Sequence, residues 1–502
     1  MRMTGTLIKG VVFGASVVLV AACVPPPPRG GTPPTVTVRP TQPTSPQTPP
    51  PSGSGLPNTP NGTTFLAGKP LPGTSYNADA SRAQISGDGL WAVYHHGTND
   101  LVIANPVHAG CPRLAKTDTQ IYRTNLVTGR TELVSMGTDG CYGNDLSSFP
   151  DTSRDGRYVV YMSRASNVQG SRGGGRQDVF VKDMATGVTT NVHVTSTGGI
   201  PVGGSASRPD ISDDGSLVAY SSDATNLVAG DTNNKGDCFV TRRATPAAVT
   251  RVSVGNAGQQ LDDMSYRCQV TSTGSAVVFA SFASNALGTA MAKGQRIYVR
   301  NMSANTTQIV SKQLNGAPAL ASRPDISSDG RCVTFQTSAN GLVAGDTDNT
   351  DDVFLYTMPN GPMRIMSVDR AGGQVAGAST RIVVNADCSR VAFVSNSNQL
   401  VPEDKNGTRD VFERDLRSGS IFLVSVNSAE QAARPCTVKP PPTTTTTTLP
   451  GTHDPTGAED ISTRPSMSDD GLVVAFISDT CGLVPEEPQM AGFAGVIVRW
   501  MR

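Results

Sequence analysis

Ser207-Arg208-Pro209-Asp210-Ile211-Ser212-Asp213-Asp214-Gly215-Ser216-Leu217-Val218-Ala219-Tyr220-Ser221-Ser222 reads as two short strands around a tight turn. The first strand ends at Asp214-Gly215, where glycine accepts the positive φ that a two-residue hairpin demands. Leu217 to Tyr220 then resumes as an apolar run of strand length. The pattern returns at Ser322 to Ser338, and related forms start at Ser81, Ser148, Ser265, Ser379 and Thr463. Their turn pairs are Asp88-Gly89, Asp155-Gly156, Asp214-Gly215, Thr273-Gly274, Asp329-Gly330, Asp387-Cys388 and Asp470-Gly471. Successive turns lie 67, 59, 59, 56, 58 and 83 residues apart.

Two more strands complete each unit. The third is Val179-Phe180-Val181, Ile297-Tyr298-Val299 or Val353-Phe354-Leu355. A second turn, such as Thr186-Gly187 or Ser418-Gly419, leads to a fourth at Val252-Ser253-Val254, Ile309-Val310-Ser311 or Val424-Ser425-Val426. Four antiparallel strands at this period describe a propeller blade. The expected fold is all-β: a seven-bladed β-propeller of four-stranded antiparallel blades over residues 62–502. The seventh unit runs out after Val496-Ile497-Val498. Thr63-Thr64-Phe65-Leu66-Ala67, which has no blade of its own, is expected to close it. The long last spacing holds a Pro/Thr-rich insert at residues 430–460, expected to be disordered.

The repeat Pro-x-Ile-Ser-x-Asp-Gly-x-x-Val-Ala-Tyr-x-Ser resembles the TolB-type, WD40-like propeller repeat, with core Pro-x-Trp-Ser-Pro-Asp-Gly-x-x-Ile-Ala-Phe. The resemblance spans residues 62–502 and implies the fold. The chain departs where Ile211, Ile326 or Met467 replaces the Trp, and where Asp213, Ser328 or Asp469 replaces the second Pro. TolB also carries an N-terminal α/β domain, which has no counterpart here, so a Tol–Pal role does not carry over.

Ahead of the repeats, Arg2 and Lys9 accompany a short apolar run at residues 10–22, the layout of a secretory signal peptide. It ends Val20-Ala21-Ala22-Cys23 and resembles the lipobox of bacterial lipoproteins. That resemblance implies a signal peptide over 1–22, cleavage before Cys23 and lipidation of its thiol. The plainer alternative is an ordinary signal peptide cut near Ala22. Residues 23–61 follow as a Pro-rich tether with little apolar content to bury. The expected location is extracytoplasmic, anchored to the bacterial membrane through Cys23.

Lys plus Arg and Asp plus Glu number 41 each, so no basic excess points to nucleic acid. Nine cysteines leave eight beside Cys23. An even number in an exported chain permits four disulfides, and neighbouring pairs are expected: 111 with 141, 238 with 268, 332 with 388, and 436 with 481.

The loop between strands two and three repeats an acidic pattern: Asp231, Asn233 and Asp237; Asp346, Asp348 and Asp352; Asp404, Asn406 and Asp410. Clustered oxygens on a flexible loop suit calcium, the one cofactor the sequence suggests and then only as a structural ion. The alternative is Asx turns capping the third strand. Arg82, Arg208, Arg323 and Arg464 recur just before the first strand, with Arg267 and Arg381 nearby in other units. Around one channel mouth they would bind an anionic ligand or a partner's carboxylates; alternatively each pairs with an Asp. His95 and His96, adjacent on a strand, point to opposite faces and make a poor metal pair. Trp91 and Trp500 are expected to pack between blades.

No nucleophile elbow, Walker loop or dinucleotide fingerprint appears. The leading expectation is a non-catalytic ligand- or protein-binding scaffold on the cell envelope. It would be a monomer whose partner is another envelope protein or an anionic ligand. Two alternatives stay open: a calcium-stabilised structural or adhesion protein, and a propeller enzyme, a hydrolase, with a site assembled from separate blades. The enzyme alternative calls for a deep pocket with paired carboxylates or a shifted titratable group.

Overall fold

Leu217–Ser222 turns back on Ala206–Ile211 with Val218 opposite Ile211, and Gly215 at the turn has φ 68°. In this computed structural model, which describes residues 62–69, 80–97, most of 101–431 and most of 464–501, the same hairpin opens every blade. Asp237–Arg242 and Thr245–Arg251 then complete a four-stranded antiparallel sheet in chain order. Seven such sheets are present, with no helix among the described residues. The chain is a seven-bladed β-propeller.

The seventh sheet is closed by the N-terminal strand. Thr64–Ala67 runs antiparallel to Gly495–Trp500, with Phe65 opposite Val498. Thr64 Oγ1 donates to the Val426 carbonyl at 2.8 Å and accepts from Arg499 Nη1 at 2.7 Å, which ties the latch to the sixth blade as well.

Few aromatic residues build a regular core. One cross-strand pair recurs at the same register: Tyr94 with Tyr122, Tyr161 with Phe180, Tyr220 with Phe239, Phe279 with Tyr298, Phe335 with Phe354, and Phe393 with Phe412. Their rings stack with centroids 5.7 to 6.1 Å apart. The second strands carry a continuous apolar stretch at their centres, as in Val218-Ala219-Tyr220, because both of their faces are covered. One core cluster runs from Val160 and Val179 of the second blade to Val218 and Phe239 of the third.

The turn glycines also serve the blade contacts. A Cβ on Gly156 would sit 2.3 Å from Trp91, so the first blade's Trp91 packs on the second blade's turn. Trp500 differs from expectation: it stacks on Phe65 within the last blade, 4.7 Å between centroids. Cys388 takes the glycine position of the sixth turn at φ 61°. It is disulfide-bonded to Cys332, and Cys238–Cys268 and Cys111–Cys141 are also formed. The 436–481 pair, Cys23, the tether and most of the insert lie outside the described residues. The fourth strands end slightly earlier than expected. At Val252 and Ser253 the Ser253 hydroxyl, not a ladder carbonyl, accepts the Cys238 N–H at 3.0 Å.

Candidate functional site

The first strand of each blade lines the central channel, and six of these strands carry the same bulge. The register slips between Ser81 and Gln84, Ser148 and Asp151, Ser207 and Asp210, Tyr266 and Gln269, Ser322 and Asp325, and Thr380 and Val383. In each slip one non-glycine residue has φ between 50° and 56°: Arg82, Phe149, Arg208, Arg267, Arg323 and Arg381. Such a residue costs of order 1–3 kcal/mol, and bulges re-aim side chains beside functional sites. Of the expected arginines, Arg82, Arg208 and Arg323 thus occupy one level of the inner strands, joined by Arg267 and Arg381, with Phe149 in the second blade, while Arg464 precedes the unbulged strand Ser466–Met467. Arg82 and Arg208 flank the Phe149 ring, their Cζ atoms 3.3 and 4.9 Å from its centroid.

Two residues further along lies a level absent from the sequence reading: Gln84, Asp151, Asp210, Gln269, Asp325 and Ser466, all polar, with Val383 in the sixth blade. Five of these side chains bond a neighbouring blade. Asp151 accepts the Ile211 N–H at 2.9 Å, Asp210 that of Val270 at 2.8 Å, and Asp325 that of Val384 at 2.9 Å. Ser466 accepts the Ile85 N–H at 2.9 Å, and Gln269 donates to the free oxygen of Asp325 at 2.9 Å. Together they line a channel cavity of about 180 Å³.

The turn residues close that cavity at the channel mouth. Asp213 accepts from Ser272 at 2.6 Å and from Ser328 at 3.3 Å, while Asp469 accepts from Arg154 at 2.5 Å. Five carboxylates from four blades therefore share one small space with one guanidinium. Burial pushes Asp151 up to about 7, with the charges of Asp213 and Asp325 adding to it. Burial likewise lifts Asp325 to about 6, and Asp210 well above the ordinary range with help from Asp151. Burial and Asp213 hold Asp469 at about 7. Groups titrating near neutrality can both give and take protons there. The signal in the repeat was the aspartate itself, which follows the proline of the first strand at Asp151, Asp210 and Asp325.

The acidic loops divide. In the third blade Arg251 Nη1 lies 3.6 Å from Asp231 and 3.4 Å from Asp237, and Gln260 donates to Asp231 at 2.8 Å. Asn233 Nδ2 donates to the Leu261 carbonyl at 2.7 Å. An internal guanidinium takes the cation's place, so the expectation of a metal at Asp231, Asn233 and Asp237 is not carried forward. Asp346, Asp348 and Asp352 each offer an oxygen within 4.8 Å of the others. In the sixth blade Asp404 is buried, Asn406 accepts the Thr408 N–H at 2.9 Å, and Asp410 accepts from Ser425.

His96 and His193 hold structural positions. His96 is buried and held neutral, its pKa lowered by burial to about 3. His193 bonds Asp178 through Nδ1 at 2.8 Å and Ser222 through Nε2 at 3.0 Å. This has the connectivity of a catalytic triad. Its members fill ordinary blade positions, however: Ser222 caps the Ala224 N–H as Ser163 and Ser281 cap Ala165 and Ala283. All three side chains are buried, beside a void of about 20 Å³.

No family model matches this chain, and no curated protein matches it. Solved structures do. An oligogalacturonate lyase in complex with manganese aligns with TM-score 0.51 and 10% identity over 88% of this chain and 97% of that one. The oligogalacturonate lyase of Vibrio parahaemolyticus gives TM-score 0.49 and 11% identity, covering 85% and 90%. TolB from Acinetobacter baumannii gives 0.36 and 12%, covering 70% and 64%. At these identities the likeness is one of fold. The expectation of a non-catalytic scaffold is corrected on two grounds: the first of these propellers is an enzyme, and the channel holds the clustered, shifted carboxylates that the enzyme alternative requires.

Proposed function

We propose that this chain is a propeller enzyme running acid–base chemistry in its central channel, on carboxylates drawn from separate blades. One observation carries the reading: Asp151, Asp210 and Asp325 occupy the same inner-strand position of three blades, face one cavity, and are each pushed by burial above the usual carboxylate range, Asp151 to about 7. Near neutral pH such a cluster contains a protonated and an ionised carboxyl together. Cleavage of a glycosidic bond uses that pair, one to protonate the leaving oxygen and one to take a proton, from water in hydrolysis or from the ring carbon bearing the carboxylate in elimination, which leaves an unsaturated sugar.

The cavity is below the usual 300–1,000 Å³ of a small-molecule site, so it takes one small unit of a substrate. The arginine level begins about 7 Å of strand away from the carboxylates. Guanidinium groups suit a carboxylate there. An oligosaccharide of uronic acids meets both conditions, with its acid group toward the arginines and its linkage at the aspartates. Cys23 would hold this site outside the cell on its tether.

The test is to incubate the purified chain with oligouronates from about pH 5 to about pH 8 and follow new reducing ends and unsaturated products. Turnover that disappears in Asp151→Asn/Asp325→Asn is expected. Turnover that survives in the double variant, or none at all across the series, overturns the reading.

A further inference from the structure

We propose that the fifth-blade loop from Asp346 to Asp352 binds one calcium ion. The Asp346, Asp348 and Asp352 carboxylates each place an oxygen within 4.8 Å of the other two. Two oxygens on opposite sides of a calcium ion, each about 2.4 Å from it, are about 4.8 Å apart, so one ion reaches all three. Asp346 is 5% exposed, and its Oδ2 finds no hydrogen-bond partner among the described residues. A carboxylate oxygen buried in that way is costly unless a cation answers it. Asp348 is exposed and leaves the loop open to solvent.

The chain supplies its own comparison. In the third blade the corresponding loop holds Asp231 and Asp237 against Arg251. Arg251 stands opposite Phe239, the register position that Ile365 occupies opposite Phe354 in the fifth blade. The glutamine is kept: Gln260 donates to Asp231 at 2.8 Å, and Gln374 to Asp352 at 3.4 Å. The fifth blade thus keeps the acids and the amide, adds a carboxylate at Asp348 in place of Asn233, and replaces the internal cation with an apolar side chain. Oxygen donors without nitrogen or sulfur select hard cations. A flexible acidic loop favours calcium over magnesium, which demands near-ideal octahedral geometry. The sixth blade has Leu423 at the same register position, with one carboxylate fewer and with Lys405 and Arg409 inside its loop. The proposal is for the fifth-blade loop alone, and it is independent of the channel chemistry.

The experiment is a calorimetric titration of the chelator-stripped full chain with calcium, paired with thermal unfolding, beside Asp348→Asn and Ile365→Arg. The wild type is expected to bind one calcium equivalent more than either variant, and to gain several degrees in Tm from calcium that Asp348→Asn does not gain. Ile365→Arg, which transplants the third-blade solution, is expected to reach the calcium-loaded Tm without calcium. Equal stoichiometry and an equal Tm response in wild type and Asp348→Asn overturn the site. A response to magnesium as strong as that to calcium overturns the choice of ion. If Ile365→Arg does not fold, Asp348→Asn, at an exposed position, carries the test.

Discussion

Arg154 of the second blade reaches across the channel mouth to Asp469 of the last blade, Nη1 to Oδ2 at 2.5 Å. It does so past Gly87 of the first blade, where a Cβ would lie 2.5 Å from the same oxygen. Three blades therefore converge on one carboxylate. Asp469 still stands at about 7, because burial and the charge of Asp213 outweigh the guanidinium.

Removing that guanidinium should let Asp469 rise further. Arg154→Ala is expected to raise the Asp469 pKa, read by carbon NMR titration of the carboxyl. Because the Arg154 side chain is 46% exposed, the stability cost should stay below about 1 kcal/mol. An Asp469 titration unmoved by the substitution would contradict this account of its environment.

The space at Gly87 is used by a side chain rather than by unusual backbone. Gly87→Ala forces the Asp469 carboxylate aside and should cost about 1–3 kcal/mol, read from denaturant midpoints. In an Asp469→Ala background the same change should cost clearly less, since the obstacle is gone. Equal costs in the two backgrounds would place the strain elsewhere.

Asp151 sets a pH dependence whose sign follows from its raised pKa. Between its ordinary value of 3.8 and about 7 the folded protein keeps a proton that the unfolded chain releases. The stability this confers is full below about pH 4 and is lost as pH rises through about 7. Asp325, lifted to about 6, acts in the same direction. Asp151→Asn retains an acceptor for the Ile211 N–H and should flatten the slope by up to about 1.4 kcal/mol per pH unit across this window. Urea unfolding at a series of pH values reads it directly.

The latch depends on one hydroxyl. Thr64 Oγ1 joins Val426 and Arg499 in a buried site, and Thr64→Val removes both bonds while Arg499 Nη1 keeps the Gly62, Val426 and Asn427 carbonyls. A loss of about 0.5–1.5 kcal/mol is expected from equilibrium unfolding. A neutral result would mean that the strand pairing alone closes the ring.

The Asp178–His193–Ser222 chain is expected to support the fold and nothing else. Ser222→Ala should lose about 1 kcal/mol with the Ala224 cap, and leave any turnover of the full chain unchanged. Loss of turnover in a variant that keeps its Tm would restore the triad as a catalytic candidate.

The Ser207–Ser222 pattern and its six spacings determined the fold, because a short strand, a glycine turn and their repeat are local features that each blade writes in its own residues. The same holds for the closing strand at Thr64 and for the three disulfides between sequence neighbours. The arginine level was legible for the same reason. Its bulge was not, since a positive φ at Arg208 is imposed by the ladder and not by arginine's own preference. The channel site was decided by tertiary structure. Asp151, Asp210 and Asp325 lie about sixty or more residues apart, and each reads alone as a turn-side aspartate. Only ring closure sets them around one cavity, where shared burial and mutual repulsion change their acidity. The acidic loops show the same division: three loops look alike in sequence, and only strand register reveals that Arg251 neutralises one while Ile365 leaves another without a cation.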